Sequence, residues 1–297
     1  MGGVLGEVLT AIVTPFDRVG AVDYERFREL ARHCVENGSD GLVVAATTGE
    51  SPTLTDGERF ELFSAAVDAV GDGATVIGST GTYSTAHSVH LTEKAHELGV
   101  DGFLVVTPYY NKPPPRGIVE HFKAIAAVSD RPIIVYNIPQ RVVINIEPET
   151  IAELAQIPTV KAVKQTTEEI DQAKRIVAET DLDLYAGSDH LVHPFLEVGG
   201  VGGVCVYTQI VGQRVKEMVR LFREGDSDGA RAVDDELKPV VEALNAAVNP
   251  IPVKAALNML GHDVGGLRLP LVEATEEELV EIRSGLERAG VLASVRV

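Results

Sequence analysis

Eight short runs of apolar, largely β-branched residues recur along the chain, at 8–13, 41–47, 75–80, 102–107, 132–137, 160–165, 182–187 and 202–207. Nearly all are continuously apolar and do not alternate. That pattern belongs to strands buried on both faces, as in a parallel sheet covered by helices. Successive runs start roughly 20 to 34 residues apart, the room a strand–helix–strand unit needs. The spaces between them read as helices. Over 23–37, Phe27, Leu30, Ala31, Cys34 and Val35 share one face. Thr55 followed by Glu58 is a capping-box pattern opening the next helix. Segments 84–98 and 116–128 are further helical stretches.

Eight such units predict an α/β chain folded as a (β/α)₈ TIM barrel with additional C-terminal helices. An open doubly wound sheet usually carries a Gly-x-Gly-x-x-Gly turn after its first strand. Here the first run leads into Asp17-Arg18-Val19-Gly20. Beyond the eighth run, 226–245 is a long amphipathic stretch, Asn249-Pro250-Ile251-Pro252 a rigid turn, 254–260 a helix, and 275–290 a last helix. The expected organisation is a barrel over 1–224 and a helical extension over 225–297 packed on it.

Hydrophobic residues make up 45% of the 297 positions, ample for one large core. The formal net charge of −18 argues against nucleic acid or an anionic membrane as partner. An anionic substrate therefore needs a locally positive pocket. Cys34 and Cys205 lie far apart in apolar surroundings and read as small core residues. The first residues include no basic stretch, and the longest apolar run, around 198–212, is too broken by glycine to span a membrane. The expectation is a cytoplasmic protein.

The run Pro158-Thr-Val-Lys-Ala-Val-Lys164-Gln165 ends on a lysine. Lysine is rarely buried without a reason. Its pKa is about 10.4 in water, and desolvation lowers it toward the neutral amine that attacks a ketone to form a Schiff base. Lys161, three residues earlier, points to the opposite face. Taken singly, both read as strand-end lysines reaching for water. What changes the picture is the company at the other strand ends, where barrel enzymes keep their chemistry. Those ends read Thr47-Thr48-Gly49-Glu50, Ser79-Thr80-Gly81, Thr107-Pro-Tyr109-Tyr110-Asn-Lys-Pro113, Tyr136-Asn-Ile-Pro-Gln-Arg141 and Ala186-Gly187-Ser188. Tyrosine hydroxyls shuttle protons. Paired threonines with free backbone N–H groups hold a carboxylate, and arginine grips one with two parallel bonds. Each residue alone has a plain structural reading, as core tyrosine, turn former or surface cation.

On Thr47-Thr48-Gly49-Glu50-Ser51, 107–113, Tyr136-Asn137-Ile138-Pro139, Lys164, 249–254, and the 28-residue spacing from Tyr136 to Lys164, the chain resembles the dihydrodipicolinate synthase and N-acetylneuraminate lyase superfamily of class I pyruvate aldolases. The resemblance runs from about Thr10 to Pro270. It implies that Lys164 forms an imine with pyruvate, that Tyr136 donates and accepts the protons of that step, and that Thr47 and Tyr110 complete a proton relay. Tyr110 would be lent by a neighbouring subunit. Thr48 would bind the pyruvate carboxylate and Gly187 the second substrate through its backbone. Arg141 selects the synthase branch, where an arginine here binds the carboxylate of L-aspartate-4-semialdehyde. The implied reaction condenses the two in lysine and diaminopimelate biosynthesis. No cofactor or metal is implied, since the imine is the electron sink. His190 and His193 do not make a metal cluster. The implied assembly is a homotetramer built as a dimer of dimers.

Three departures from the family pattern line the outer mouth: Val142-Val143 after Arg141, Gln165-Thr166-Thr167 after Lys164, and Ser188-Asp189 after Gly187. They bear on the second substrate. In lysine-inhibited relatives the feedback site uses an asparagine and a glutamate, and those positions read Tyr83 and His87 here. The histidine positions before them read Asp56 and Arg59. Weak inhibition by L-lysine is expected. Two other readings stand beside the synthase. One is a sister aldolase for a 2-keto-3-deoxy sugar acid or sialic acid. The other is an inactive barrel that only binds a keto acid.

Overall fold

The computed structural model describes residues 2–293. The strands are β1 (Val8–Ala11), β2 (Gly41–Val44), β3 (Thr75–Ser79), β4 (Gly102–Val106), β5 (Ile133–Asn137), β6 (Val160–Gln165), β7 (Asp183–Ala186) and β8 (Gly202–Cys205). All neighbours pair in parallel, and β8 returns to β1, closing the barrel. Every apolar run of the sequence is a strand.

Alternation along each strand divides the core in two. Leu9, Val43, Ile77, Leu104, Ile134, Ala162, Tyr185 and Val204 fill the barrel interior. Val8, Leu42, Val76, Phe103, Val135, Val163 and Leu184 belong to the larger cluster between sheet and helices. Because both faces are covered, the strands carry no polar side, which is why the runs do not alternate. Lys161 is exposed, while Lys164, two residues beyond the inward Ala162, is buried. The barrel floor is plugged by Tyr185, whose hydroxyl donates to Gly6 O at 2.7 Å.

The helices are α1 (Tyr24–Glu36), α2 (Asp56–Val70), α3 (Thr85–Glu97), α4 (Pro115–Ala126), α5 (Pro139–Val142), α6 (Pro148–Leu154), α7 (Ile170–Glu179), α8 (Val192–Glu197), α9 (Thr208–Arg223), α10 (Ser227–Leu244), α11 (Ile251–Met259) and α12 (Glu276–Arg288). Their starts follow local chemistry. Asp23 caps α1 by accepting from Arg26 N at 2.9 Å. Thr55 and Glu58 form the expected capping box on α2, and Thr275 with Glu278 forms another on α12. Such caps stabilise a helix by about 0.5–2 kcal/mol. Helix α11 begins three residues earlier than periodicity suggests, because Pro252 suits a first helical turn.

Helices α10 to α12 bury Val233, Leu237, Val240, Leu257, Ile282 and Leu286 in the same cluster that wraps the barrel. The extension thus shares one continuous core with the barrel. Its helices α10 and α11 also bring residues 244–249 to the barrel mouth. Cys34 and Cys205 are buried free thiols, and burial pushes Cys34 up to about 12.

Candidate active site

The strand register puts Tyr136 directly beside Lys164, and Lys164 beside Tyr185. The three side chains point into the barrel, Tyr185 below and the other two at the carboxyl end. Lys164 is 5% exposed and Tyr136 4%. The Lys164 Nζ lies 4.3 Å from the centre of the Tyr136 ring. Tyr136 is held in turn by its backbone: Thr107 donates to Tyr136 O from both N (3.0 Å) and Oγ1 (2.9 Å).

Lys164 opens on a cavity of about 360 Å³. Thr47, Thr48, Tyr136, Arg141 and Gly187 share its lining with Lys164, so six of the seven residues singled out in the sequence converge there. Gly187 is required by space: a Cβ would lie 2.5 Å from Thr166 Cγ2 and 3.1 Å from Lys164 Cε. Its N–H is taken by Gln165 O at 2.7 Å. A second cavity of about 240 Å³ adjoins the first, sharing Thr47, Tyr136, Ile138 and Arg141, and is lined further by Arg59 and Tyr109. Tyr110 lines neither cavity. It is 93% exposed, with a left-handed backbone (φ +69°), so the single chain does not bring it to Lys164.

Several residues of the site carried no role in the sequence reading. Asn249 donates from Nδ2 to Thr48 Oγ1 at 3.0 Å, and its carbonyl accepts from Arg141 Nη2 at 3.0 Å. One residue of the C-terminal extension thus touches both residues that would bind carboxylates. Asp189, on the cavity wall, accepts from Val206 N (2.8 Å) and Tyr207 N (2.9 Å). Burial raises its pKa against the pull of those donors and of Lys164. Behind Lys164, Gln165 accepts from Asn137 Nδ2 at 2.9 Å and donates to Thr167 Oγ1 at 2.7 Å. Asn137 also bonds Asn145 at 2.8 Å, so this amide network locks the end of β5 to that of β6. Such pairings form across strands and leave no local sequence signal beyond the amides themselves.

The departures take defined places. Gln140 donates to Thr166 O at 3.0 Å, Val143 is exposed in a left-handed conformation (φ +71°), and Ser188 lines the cavity. His190 Nε2 stands 3.5 Å from Glu168, whereas His193 is buried. Among the described residues no group of three or more His, Cys, Asp or Glu side chains is placed to hold a metal. His87 Nε2 lies 3.0 Å from both oxygens of Asp56. Asp56 thus sets a carboxylate directly against position 87. Read one by one, the two positions did not reveal that they pair.

The sequence matches the Dihydrodipicolinate synthetase family over residues 4–289. This chain belongs to that family. A 4-hydroxy-tetrahydrodipicolinate synthase of Moorella thermoacetica is 48% identical over 289 residues, covering 97% of this chain and 99% of the relative. The solved DHDPS of Cyanidioschyzon merolae, crystallised with lysine bound, superposes with a TM-score of 0.96 at 42% identity, covering 98% of this chain and all of the other. A dihydrodipicolinate synthase from Aquifex aeolicus gives 0.94 at 39% identity, covering 97% and 99%. The dihydrodipicolinate synthetase family is thus matched along both barrel and C-terminal helices, and the expected fold class holds.

Proposed function

We propose that this chain is a 4-hydroxy-tetrahydrodipicolinate synthase that condenses pyruvate with L-aspartate-4-semialdehyde through an imine on Lys164. The observation that carries the reading is the buried Lys164 amine beside Tyr136 in a cavity lined by Thr47, Thr48 and Arg141 among others. The names of its full-length relatives support the choice of reaction.

The Lys164 amine attacks the pyruvate ketone, and a proton passes through the Tyr136 hydroxyl to the departing water as the imine forms. The Thr48 backbone and hydroxyl hold the pyruvate carboxylate. Loss of a methyl proton gives the enamine, the imine nitrogen accepting the electron pair. The enamine carbon attacks the aldehyde carbon of the semialdehyde. The C=O electron pair moves to oxygen, which is protonated to a hydroxyl through the Tyr136 relay. Meanwhile Arg141 grips the substrate carboxylate and the Gly187 backbone contacts it. The amine of that substrate then displaces Lys164 by transimination, closing the ring and freeing the enzyme. The imine nitrogen takes the electron pair freed at the methyl carbon, so the reading calls for no cofactor.

Tyr110 fits this scheme as a residue given to a second copy. A tyrosine that is almost wholly exposed, held in a strained left-handed turn next to the cavity-lining Tyr109, supports insertion into a partner's site to complete the relay with Thr47 and Tyr136. The reading therefore includes a homotetramer assembled as a dimer of dimers, acting in the cytoplasm. No helix among the described residues is long and apolar enough to cross a membrane.

Borohydride reduction with pyruvate present, followed by peptide mass spectrometry, tests the reading. A stable pyruvate adduct on Lys164 is expected. Folded protein that yields no adduct at saturating pyruvate would overturn it.

A further inference from the structure

The turn at 47–50 lies between β2 and α2 and carries Thr47 and Thr48 of the cavity lining. It is held from outside at several points. Thr14 Oγ1 donates to Gly49 O at 2.7 Å, and Asn249 Nδ2 to Thr48 Oγ1. The remaining contacts gather on Glu50. This residue adopts a left-handed backbone (φ +56°), uncommon for any side chain beyond glycine. That conformation turns its carboxylate away from water and into the protein, where the side chain is 0% exposed.

Inside, Glu50 Oε1 stands 2.7 Å from Lys254 Nζ, itself 1% exposed on α11. Its other oxygen accepts from Arg268 N at 3.0 Å. Lys254 also donates to Gly266 O at 2.6 Å and sits 4.1 Å over the Phe16 ring. The Arg268 guanidinium covers that ring at 4.5 Å and donates to Thr53 O, Gly20 O and Glu58. The catalytic turn, the start of α2 and the segment after α11 are thus sewn together by one buried cluster. A fully desolvated ion pair is a poor source of net stability, since an apolar pair of the same volume often does as well. What an apolar pair lacks is direction. The salt bridge fixes where the carboxyl end of the turn lies relative to α11, and α11 starts two residues after Asn249, which bonds Thr48.

We propose that Glu50 and Lys254 are positioning residues for the keto-acid carboxylate: their buried pair, backed by Arg268, is the strut by which the C-terminal helices hold Thr48 in receiving geometry. The proposal rests on the pyruvate reading above. The strut touches no substrate, so its loss weakens carboxylate binding more than the chemistry on Lys164.

The test is the double variant Glu50→Gln/Lys254→Met in the full-length enzyme. The amide still accepts the Arg268 N–H, and methionine keeps the volume over Phe16. With folding checked by circular dichroism, KM for pyruvate is expected to rise roughly tenfold, the scale of one misplaced charged contact. Turnover at saturating pyruvate and KM for the semialdehyde should stay within about threefold, and borohydride should still trap pyruvate on Lys164. Arg268→Met, at a partly exposed position, is the second variant, with a smaller rise of KM in the same direction. An unchanged KM for pyruvate in the folded double variant overturns the proposal. So does an unchanged KM in Arg268→Met should the double variant not fold. Failure of wild-type protein to trap pyruvate would sink the imine reading instead, and is scored separately.

Discussion

The amine of Lys164 lies 4.3 Å from the centre of the Tyr136 ring, and the two residues are direct neighbours across β5 and β6. Their placement is set by register, not by a flexible loop, so reach and orientation are built in before substrate arrives. Lys164→Ala is expected to abolish the borohydride adduct and all measurable turnover. Tyr136→Phe should keep the fold and lower kcat by roughly 10²–10⁴-fold, the range for losing a positioned proton carrier. Stopped-flow measurement of imine formation distinguishes the two: slow in Tyr136→Phe, absent in Lys164→Ala.

Arg141 is exposed at the mouth, held by a single bond to Asn249 O. Arg141→Ala should leave pyruvate trapping intact and raise KM for the semialdehyde by about tenfold, since a solvated guanidinium contributes less than a buried one. Initial rates with each substrate varied in turn check this. A change confined to KM for pyruvate would contradict the assigned partner.

Tyr110 gives a test of subunit sharing. Lys164→Ala and Tyr110→Phe should each be nearly inactive. Co-expressed, they form mixed dimers in which one of the two sites has both native residues. Recovered activity of roughly a quarter of wild type is expected for random pairing across a two-fold interface. No recovery in verified mixed oligomers would mean that Tyr110 serves its own chain or none.

In the Asp56–His87 pair between α2 and α3, His87 engages the Asp56 carboxylate. An incoming ammonium must compete with His87 for it. L-lysine is therefore expected to inhibit poorly, with little loss of rate below 1 mM on the scale of ordinary metabolite affinities, about 1 μM–1 mM. Inhibition curves with lysine varied at fixed substrates decide it, and strong sub-millimolar inhibition would count against the pair as a block.

Glu58 accepts from the Arg268 guanidinium, and that bond is the main reason its pKa falls from 4.5 to about 2. A carboxylate depressed in the folded state binds fewer protons there than when unfolded between those two values. Its stabilising contribution is complete above about 4.5 and is lost as pH falls through about 2. Glu58→Gln should flatten the dependence of unfolding free energy on pH across that window and leave it unaltered near neutrality in slope. Urea titrations at stepped pH measure it.

The sequence by itself determined the barrel. Eight doubly apolar runs at the spacing of strand–helix units leave few other ways to bury both faces of every strand, and Asp23, Thr55 and Thr275 mark helix starts by bonds to residues three positions on. It also pointed to Lys164, Tyr136, Thr47, Tyr110, Thr48, Arg141 and Gly187, because barrel chemistry sits where strands end and strand ends are visible as edges of apolar runs; all but Tyr110 line one cavity. Only the tertiary structure decided that Asp56 faces His87, that Asn249 bridges Thr48 and Arg141, and that Glu50 meets Lys254. Those contacts join residues from 31 to 204 positions apart. Local periodicity reports the face on which a side chain lies. It carries no information on which distant charge is brought to that face, since that depends on closure of the barrel and the return path of the C-terminal helices.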